Sequence, residues 1–394
     1  MKILVIHCHY QHRGGEDSVC EAEIQLLREA GHEVIVHVRD NKGIPNSGAF
    51  QKLALASRTI WSGNAHEEIR DVIARSSPDV AHFHNTFPLI SPSAYYACAE
   101  AGVPVVQSLH NYRLLCPAAA FLRDGRVCEE CLGRAVPWPG VLHGCYRDSR
   151  PATLALATML SVHRALGTWR NKVNLYIALS EFARKKFIEG GLPAERIMVK
   201  SNFVSDRPAR PGCRGDYGLW VGRFSEEKGI RVLLTALGEL SLPVPFKLAG
   251  TGPLFEEVAR GITQNELEQV DLLGRVPPPN IFDLMHGARF VVVPSVCFEN
   301  FPVVIAEAFA CGVPVVASRI GSMVELVEDG RTGLHFKMGD PADLAAKVEW
   351  AWTHPAEMKE MGQAARREYE AKYTAQHNYD VLMRIYETAR TKAV

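Results

Sequence analysis

The 394-residue chain has no excess of charge of either sign, because 44 Lys and Arg residues balance 44 Asp and Glu residues. A protein that binds DNA or RNA is expected to be basic, so no nucleic-acid partner is expected. Any anion must instead be bound by a local group of cations. The length is sufficient for two or three domains with sizeable cores.

Long apolar runs are also missing. No stretch of about 18 apolar residues occurs, so no membrane-spanning helix is predicted. The first residues, MKILVIHCHY, contain an apolar run that is too short for a secretory signal, and polar residues follow at once. A cytoplasmic protein is therefore expected, and in that compartment its ten cysteines are not expected to form structural disulfides.

The pattern that is present alternates short apolar runs with helical segments. The run KILVIH, a glycine-containing loop and a helical stretch that stops at Gly31 precede a second run, EVIVHV. This is the order of a βαβ unit, which implies a parallel sheet. The same alternation starts again at YGLWVGRF, after a stretch rich in Pro, Arg and Gly at 205–216. The sequence thus predicts an α/β protein with two doubly wound parallel-sheet domains.

We place the first, Rossmann-like domain at residues 1–205 and the second at 206–372. A C-terminal helix at 373–394 is expected to pack back on the first domain. Open parallel sheets bind ligands beyond the carboxyl ends of their strands. Functional residues are therefore expected in the loops that follow the strands.

Two cations in the second domain flank a loop that opens a helix at Gly229. Arg223 and Lys228 lie in the stretch VGRFSEEKG. A helix start adds free N–H groups and the positive end of a dipole, so this loop can bind a diphosphate. The alternative is a solvated charged loop. Two further strand ends, AGTGP and LGRVPPPN, can bring backbone groups close to a ligand.

Two glutamates lie around the start of one apolar helix. Glu299 follows the strand RFVVVPS, and Pro302 suits the first helical turn. Glu307 is surrounded by Ile, Ala and Phe residues. A carboxylate in such surroundings needs a partner, and a ribose diol, which can donate two hydrogen bonds, would serve. The alternatives are a buried ion pair or an exposed helix position.

Together these elements resemble the retaining glycosyltransferases of family 4, which have the GT-B fold. The resemblance is carried by GRFSEEKG, AGTGP, LGRV, PSVCFENFPVVIAEAFACGVPVVAS and GSMVELVEDGRTG, which occur in the family's order between residues 217 and 340. The first half is similar more loosely, through HRGGEDS and the strand that ends at His110. The resemblance implies two Rossmann-like domains that face a cleft. It also implies transfer of a sugar from a nucleoside-diphosphate sugar with retention at the anomeric carbon.

The resemblance further implies a role for each site residue. Arg223 and Lys228 neutralise the donor phosphates, and Glu299 contacts hydroxyls of the donor sugar. Glu307 holds the ribose, and His110 lies near the sugar and its phosphate. The other donor-binding candidates are Gly14, Gly15, Gly222, Gly250, Arg275, Val276, Asn300, Phe301, Pro302 and Val303, and the acceptor-side candidates are His12 and Glu16.

Several of these residues have structural alternatives. Gly14 and Gly15 can form a flexible turn, and a lone histidine such as His110 is more often structural. Asn111 stands where the family frequently has an aspartate, so the role of that position is open here. Ser322 stands where the family often has a second glycine near the phosphates, and serine still permits a tight loop.

Two different expectations concern metals. No D-x-D triplet occurs in the chain, so no metal ion is expected to bridge the donor diphosphate. An insertion at about 111–148, however, contains Cys116, Cys128, Cys131 and Cys145. Four thiolates suit a structural zinc, or less favourably an iron–sulfur cluster, and His143 could replace one ligand. Unrelated buried thiols or a redox pair are the alternatives.

The stretch at 150–172 is apolar and helical, with basic residues near its ends. It would suit peripheral contact with the inner face of a membrane, or it is a covered core helix. The expected partners are a nucleoside-diphosphate sugar and a saccharide or lipid-linked acceptor, in the assembly of surface polysaccharides or glycoconjugates. Two rival functions are a nucleotide-sugar 2-epimerase of the same fold and a non-catalytic sugar- or partner-binding protein.

Overall fold

The computed structural model describes residues 1–9, 14–41, 49–207 and 215–391. The chain divides into two compact units. The first unit comprises Met1–Phe121, Glu129–Ser201 and Asn378–Val394, and the second comprises Leu122–Cys128 and Asn202–His377. None of the helices in the described ranges combines the length and the apolar character that a membrane span requires.

The first unit is built on a six-stranded sheet with the order β2-β1-β3-β4-β7-β8, in which every neighbouring pair is parallel. Its strands are β1 (Lys2–His9), β2 (Glu33–Asp40), β3 (Val80–Phe83), β4 (Val105–Leu109), β7 (Leu175–Ala178) and β8 (Ile197–Val199). Its helices are α1 (Gly15–Glu29), α2 (Ala49–Ile60), α3 (Gly63–Ser76), α4 (Ser93–Glu100), α5 (Trp138–His143), α6 (Arg150–Ala165), α7 (Thr168–Asn171) and α8 (Glu181–Glu189), with most of α16 (Ala375–Thr391).

The second unit contains another six-stranded parallel sheet, with the order β11-β10-β9-β12-β13-β14. Its strands are β9 (Tyr217–Val221), β10 (Phe246–Ala249), β11 (Val270–Gly274), β12 (Ala288–Val293), β13 (Val315–Ser318) and β14 (Gly333–Phe336). Its helices are α9 (Ile230–Gly238), α10 (Phe255–Gln264), α11 (Pro278–Gly287), α12 (Val303–Ala310), α13 (Met323–Leu326), α14 (Pro341–Thr353) and α15 (Pro355–Lys372). A small antiparallel hairpin, β5 (Leu122–Arg123) and β6 (Arg126–Val127), belongs to the same unit.

The central strands are buried along their whole length. Every residue of β3, β4 and β7 is buried, and so are all but the two end residues of β1. Parallel strands covered by helices on both faces form continuous apolar runs of this kind. The predicted fold class, two doubly wound parallel-sheet α/β domains, is therefore confirmed.

Several helices begin where the sequence supplies an N-cap. The hydroxyls of Ser62, Ser149 and Ser180 accept hydrogen bonds from the first-turn N–H groups of α3, α6 and α8. The Asp340 carboxylate does the same for α14. Each cap satisfies an N–H that the helix itself leaves without an acceptor. The first turn of each of these helices is thereby fixed.

Candidate active site

In the second unit, the strand order reverses between β9 and β12. At such a switch point the loops after two neighbouring strands diverge and leave a crevice for a ligand. The loop after β9 contains Arg223 and Lys228, and the loop after β12 contains Glu299. The predicted donor-site residues thus come from the place where a doubly wound sheet binds its ligand.

These two loops are joined through their backbones. The N–H of Val296 donates a hydrogen bond to the Glu227 carbonyl at 3.0 Å. Gly229 has a φ of +67°, and a Cβ at this position would overlap the carbonyl oxygen of Pro294. Only glycine permits that close approach without strain. The contact fixes the position of Lys228 relative to the loop that carries Glu299.

Lys228 and Glu299 form an ion pair. The Lys228 ammonium donates a hydrogen bond to Glu299 Oε1 at 2.6 Å, and the Ser295 hydroxyl donates to the same oxygen at 2.8 Å. The Ser322 hydroxyl donates to the Glu299 backbone carbonyl at 2.7 Å. Burial disfavours the charge on Lys228, but the Glu299 carboxylate outweighs burial and raises the pKa of Lys228. The structure therefore keeps a cation with a 32% exposed side chain at the switch point.

Glu307 differs from Glu299 in having no polar partner. It lies in α12, half-buried, beside the buried residues Ala306 and Ala308. Within the described ranges, no group donates a hydrogen bond to its carboxylate. Burial raises the pKa of Glu307 to about 7. The Glu307 carboxylate therefore has its hydrogen-bond acceptors available for a ligand, as the sequence predicted.

The remaining donor-site candidates lie at strand ends and at a helix start of the second unit. Arg223 is exposed, and its guanidinium forms no ion pair in the described part of the chain. Arg275 and Val276 directly follow β11. A Cβ on Gly250 would overlap the Gly222 carbonyl oxygen, so the ends of β9 and β10 approach closely through glycine. At the start of α12, the candidates are Asn300 and Phe301, which are buried, Pro302 and Val303.

In the first unit, Gly14 and Gly15 lie at the start of α1, after the switch-point strand β1. The Gly14 N–H donates to Asp17 Oδ2 at 2.9 Å. The other oxygen of Asp17 lies 2.7 Å from His7 Nε2 and 3.1 Å from His9 Nδ1. Burial would raise the pKa of Asp17, but the Gly14 N–H and the two imidazoles outweigh it and lower that pKa. The glycine turn is therefore anchored to an ionised carboxylate.

Glu16, one of the two acceptor-side candidates, lies beside this turn. Glu16 Oε2 accepts a hydrogen bond from Asn111 Nδ2 at 3.2 Å, which brings the start of α1 to the loop after β4. The structure therefore gives Asn111 a contact that the sequence pattern did not assign. His12 lies outside the described residues.

His110, which follows β4 and is half-buried, contacts a pair of buried histidines, His84 and His82. His110 Nε2 lies 2.9 Å from His84 Nδ1, and the two rings stack with centroids 5.1 Å apart. His84 Nε2 in turn lies 3.3 Å from Glu23 Oε1. Burial, with the neighbouring His82, lowers the pKa of His84 to about 4. Burial and His84 together hold the pKa of His110 well below its usual range. Both imidazoles are therefore neutral at physiological pH.

Glu23 is the buried charge of this cluster. Lys200 Nζ donates to Glu23 Oε2 at 2.7 Å and to Asn378 Oδ1 at 3.1 Å. Burial favours the neutral carboxyl, but Lys200 and His82 outweigh it and hold the pKa of Glu23 well below its usual range. The cluster thus combines α1, β3, the loop after β8 and α16 behind His110. An ion pair at this depth requires both partners.

The sequence pattern did not identify Glu23, His82, His84 or Lys200 as functional. One signal was available, because His82 and His84 alternate in the otherwise apolar strand β3 and therefore lie on the same face. Their contacts, however, join distant parts of the chain. His82 Nδ1 lies 2.7 Å from the Tyr386 hydroxyl, and Glu23, which contacts both histidines, pairs with Lys200, 177 positions further on. No local spacing rule can reveal such a contact.

The four cysteines of the insertion are not drawn into a common cluster. Cys116 and Cys131 are buried, while Cys128 and Cys145 are half-buried. The Cys131 thiol donates to the Pro137 carbonyl at 3.9 Å. Among the described residues, two groups have three ligand atoms within 4.8 Å of one another: His7, His9 and Asp17, and Glu23, His82 and His84. Neither group contains a cysteine, and the metal site at the cysteines stays a prediction.

Comparison with known proteins agrees with the fold. Residues 215–368 match the family of glycosyl transferases group 1, and residues 13–207 match glycosyltransferase family 4. A phosphatidyl-myo-inositol mannosyltransferase of Mycobacterium leprae is 30% identical over 261 residues, which are 64% of this chain and 68% of that protein. The chain therefore belongs to the group 1 glycosyltransferases, which have the GT-B fold.

Other relatives match over different lengths. An uncharacterized glycosyltransferase of Methanocaldococcus jannaschii is 38% identical over 34% of this chain, and the match spans only 38% of that protein's length. The glycogen synthase of Mycobacterium tuberculosis is 25% identical over 92% of this chain and 88% of its own. The similarity is therefore locally strong and extends at a lower level over most of the chain.

Solved structures share the fold across nearly the whole chain. The Anabaena protein HepE in complex with UDP-glucose has a TM-score of 0.70 at 21% identity, covering 99% of this chain and 100% of its own. Sucrose-phosphate synthase of Thermosynechococcus elongatus has a TM-score of 0.71 at 18% identity, covering 98% of each chain. At this level of identity the likeness establishes the common fold.

Proposed function

We propose that this protein is a retaining glycosyltransferase that uses a nucleoside-diphosphate sugar and a saccharide or lipid-linked acceptor. The observation that carries the proposal is the Lys228–Glu299 ion pair at the switch point of the second sheet. Relatives named as a mannosyltransferase and as a putative colanic acid biosynthesis glycosyltransferase support a place in polysaccharide or glycoconjugate assembly. A structure of the same fold that holds UDP-glucose supports a nucleotide-sugar donor.

On the donor side, the positive charges take the place of a bridging metal. The anomeric carbon–oxygen bond to the diphosphate breaks, and negative charge develops on the leaving phosphate. Arg223 and Lys228 supply fixed positive charge for that phosphate, which is the kind of electrostatic assistance that lowers a barrier most. Glu299, held by Lys228 and Ser295, accepts hydrogen bonds from sugar hydroxyls.

The nucleoside is held by α12 and its surroundings. Glu307 accepts hydrogen bonds from the two ribose hydroxyls, which satisfies its partnerless carboxylate and favours the ionised form. Gly222 and Gly250 allow the backbone to approach the phosphates, and Arg275 and Val276 present backbone groups to the base. The start of α12, from Asn300 to Val303, contacts the donor sugar and phosphate.

On the acceptor side, the acceptor oxygen forms the new bond to the anomeric carbon. Its proton passes to an oxygen of the departing diphosphate, so atoms and charges balance without a further base. Gly14 and Gly15 approach the donor, His110 contacts the sugar as a neutral imidazole, and Glu16 and His12 contact the acceptor. A neutral imidazole offers one donor and one acceptor, which suits hydroxyl groups.

We further propose that one structural zinc, or less favourably an iron–sulfur cluster, is held by the four cysteines Cys116, Cys128, Cys131 and Cys145. Closed sites of four thiolates order segments that have little core of their own. The segment that carries them has only a two-residue strand on each side of one turn and the short helix α5. The metal would order this segment and take no part in the transfer itself.

We place the protein in the cytoplasm with peripheral contact to the inner membrane face. The outer surface of α5 and α6 exposes large apolar side chains, namely Trp138, Leu142, Leu154 and Val162, together with Leu166 just beyond α6. Arg134 lies over the Trp138 ring at 5.3 Å, and Arg150 begins α6. Apolar side chains flanked by cations suit an anionic lipid surface.

The proposal is tested by a thermal-shift screen of UDP, GDP, ADP and their sugars, followed by a transfer assay. A nucleotide present at 100 times its dissociation constant should add about 2.7 kcal/mol of stability. Release of the nucleoside diphosphate should then depend on an added acceptor. An epimerase would instead turn over without acceptor, and a binding protein would turn over no donor at all.

A further inference from the structure

The loop after β4 carries an arginine to which the proposed chemistry assigns no role. Arg113 lines a cleft in the first unit that has a volume of about 60 Å³ and is partly open to solvent. His84, Phe87, His110 and Asn111 line the same cleft, and no Asp or Glu is among the described residues that line it. With both histidines neutral, Arg113 supplies the single formal charge of this lining.

The guanidinium of Arg113 is held in place by aromatic rings. Its central carbon lies 4.7 Å from the centroid of Phe87 and 5.4 Å from that of Tyr146. The two rings are nearly perpendicular to each other, with centroids 5.5 Å apart. The backbone N–H of Arg113 donates to Asn111 Oδ1 at 3.0 Å, which fixes the loop. The rings stabilise the cation through their π systems and leave its N–H donors for another group.

Those donors have no acceptor in the described part of the chain. Nε and Nη1 of Arg113 are buried and make no hydrogen bond, and the side chain forms no ion pair there. Buried N–H groups of a cation are costly to leave without acceptors, so each such case requires an explanation. A guanidinium with an open edge matches a carboxylate or phosphate, because two parallel N–H groups can bind two oxygens of the anion.

We propose that Arg113 binds an oxyanion of the acceptor, so that the acceptor is an acidic saccharide or a phosphorylated one. This inference rests on the proposed function, since it assigns the substrate of the same site. The shared chemistry is a group with at least two terminal oxygens and a negative charge. A sugar carboxylate and a phosphate ester are the two sources, and the cleft beside His110 is the place where such a group would orient the attacking hydroxyl.

The experiment measures binding without turnover, by NMR titration of the full-length protein. The probes are methyl glucuronide, methyl phosphate and, as the neutral match, methyl glucoside. Arg113→Gln should weaken binding of at least one anion by about ten-fold or more, since a charge-assisted pair of hydrogen bonds is lost. Methyl glucoside should be unaffected. The carboxylate and phosphate arms decide which anion the acceptor carries.

Arg147→Gln is the matched control, because Arg147 is exposed and lies over the same Tyr146 ring at 5.5 Å. It removes the same charge and should leave the anion affinities within about two-fold, as expected for an exposed charge. Arg113→Lys keeps the charge but removes the two parallel N–H donors of the guanidinium, so it should also weaken binding. This variant replaces Arg113→Gln if that protein does not fold.

Three results would overturn the proposal. One is an anion affinity that is unchanged in both Arg113 variants, and another is an equal loss in Arg147→Gln. The third is a UDP dissociation constant that rises by the same factor, which would make Arg113 a donor-phosphate residue. Failure of the proposed function is distinguishable, because it would appear as absent donor turnover whereas this titration uses no donor sugar.

Discussion

The strand ends of the two units present different chemistry. The second unit places a partly exposed ion pair, Lys228 and Glu299, at its switch point. The first unit places two neutral imidazoles, His84 and His110, after β3 and β4. It buries its charge behind them, in Glu23 and Lys200. An accessible cation can meet a diphosphate directly, whereas neutral imidazoles can meet hydroxyl groups. The comparison favours binding of the donor diphosphate by the second unit and contact with hydroxyl groups by the imidazoles of the first unit, beside the oxyanion site proposed at Arg113.

The largest expected effect concerns the buried charge of the first unit. Glu23→Ala should lower the free energy of unfolding by about 3–5 kcal/mol, because it leaves Lys200 buried without its counter-charge. Urea unfolding monitored by circular dichroism measures this loss. Glu29→Ala, at an exposed position of the same helix, should change it by less than about 0.5 kcal/mol.

A second substitution sharpens this test. Adding Lys200→Met to Glu23→Ala should recover much of the lost stability, because no unpaired charge remains. If Glu23→Ala costs no more than Glu29→Ala, the cluster is not the stabilising ion pair described here.

The next effect concerns the two cations of the second unit, Lys228 and Arg223. Lys228→Ala and Arg223→Ala should each lower turnover by about 100-fold or more, because each removes charge aimed at the leaving phosphate. Steady-state kinetics with the identified donor measures this loss, and activity should persist in EDTA. Lys337→Ala, with a side chain that is 78% exposed, is the control and should be neutral. Activity lost in EDTA and restored by Mg²⁺ would count against the metal-free mechanism.

The pH dependence of stability tests the burial of Glu307. Because the pKa of Glu307 is about 7 in the folded protein and 4.5 is its ordinary value, the folded state holds an extra proton between these values. Stability of the nucleotide-free protein should therefore fall as pH rises from 4.5 towards 7, by about 1.4 kcal/mol for each unit of pKa difference. Glu307→Gln should remove that slope in unfolding measured across the range. A slope that persists in the variant would assign it to another group.

The smallest expected effect on transfer concerns the cysteines. Cys131→Ser should lower the metal content of protein purified without a metal-binding tag and should weaken acceptor use more than donor binding. Elemental analysis and thiol titration check the first part. Less than roughly a tenth of an equivalent of zinc or iron in the wild-type protein, with all four thiols reactive, would exclude the site.

The sequence predicted most of the fold because the strands are short apolar runs bounded by glycine or proline. It did not predict the last strand of either sheet, β8 and β14. β8 has only three residues, and β14, GLHF, is short and includes a buried histidine, so neither shows a clear apolar run. Short edge strands of this kind form by pairing with a neighbour more than by their own pattern.

The site was predictable to a different extent in each unit. Lys228 and Glu299 could be predicted as site residues because each lies in one short family motif, the first after β9 and the second after β12. Glu23 and His84 were not found, because their contact with His110 joins α1, β3 and β4 through the fold alone. The sequence did not single out Arg113 either, because only the folded structure shows that its buried N–H groups have no acceptor.

The most direct test of the account is the dissociation constant of the nucleotide, measured by isothermal titration for the wild-type protein, Glu307→Ala and His110→Ala. The nucleotide is the one selected by the thermal-shift screen. We expect Glu307→Ala to weaken binding by about 1.5–3 kcal/mol, because hydrogen bonds to a charged group are lost, while His110→Ala leaves it nearly unchanged and impairs transfer. An unchanged affinity in folded Glu307→Ala, or an equal loss in His110→Ala, would contradict the assignment of the nucleotide to the second unit.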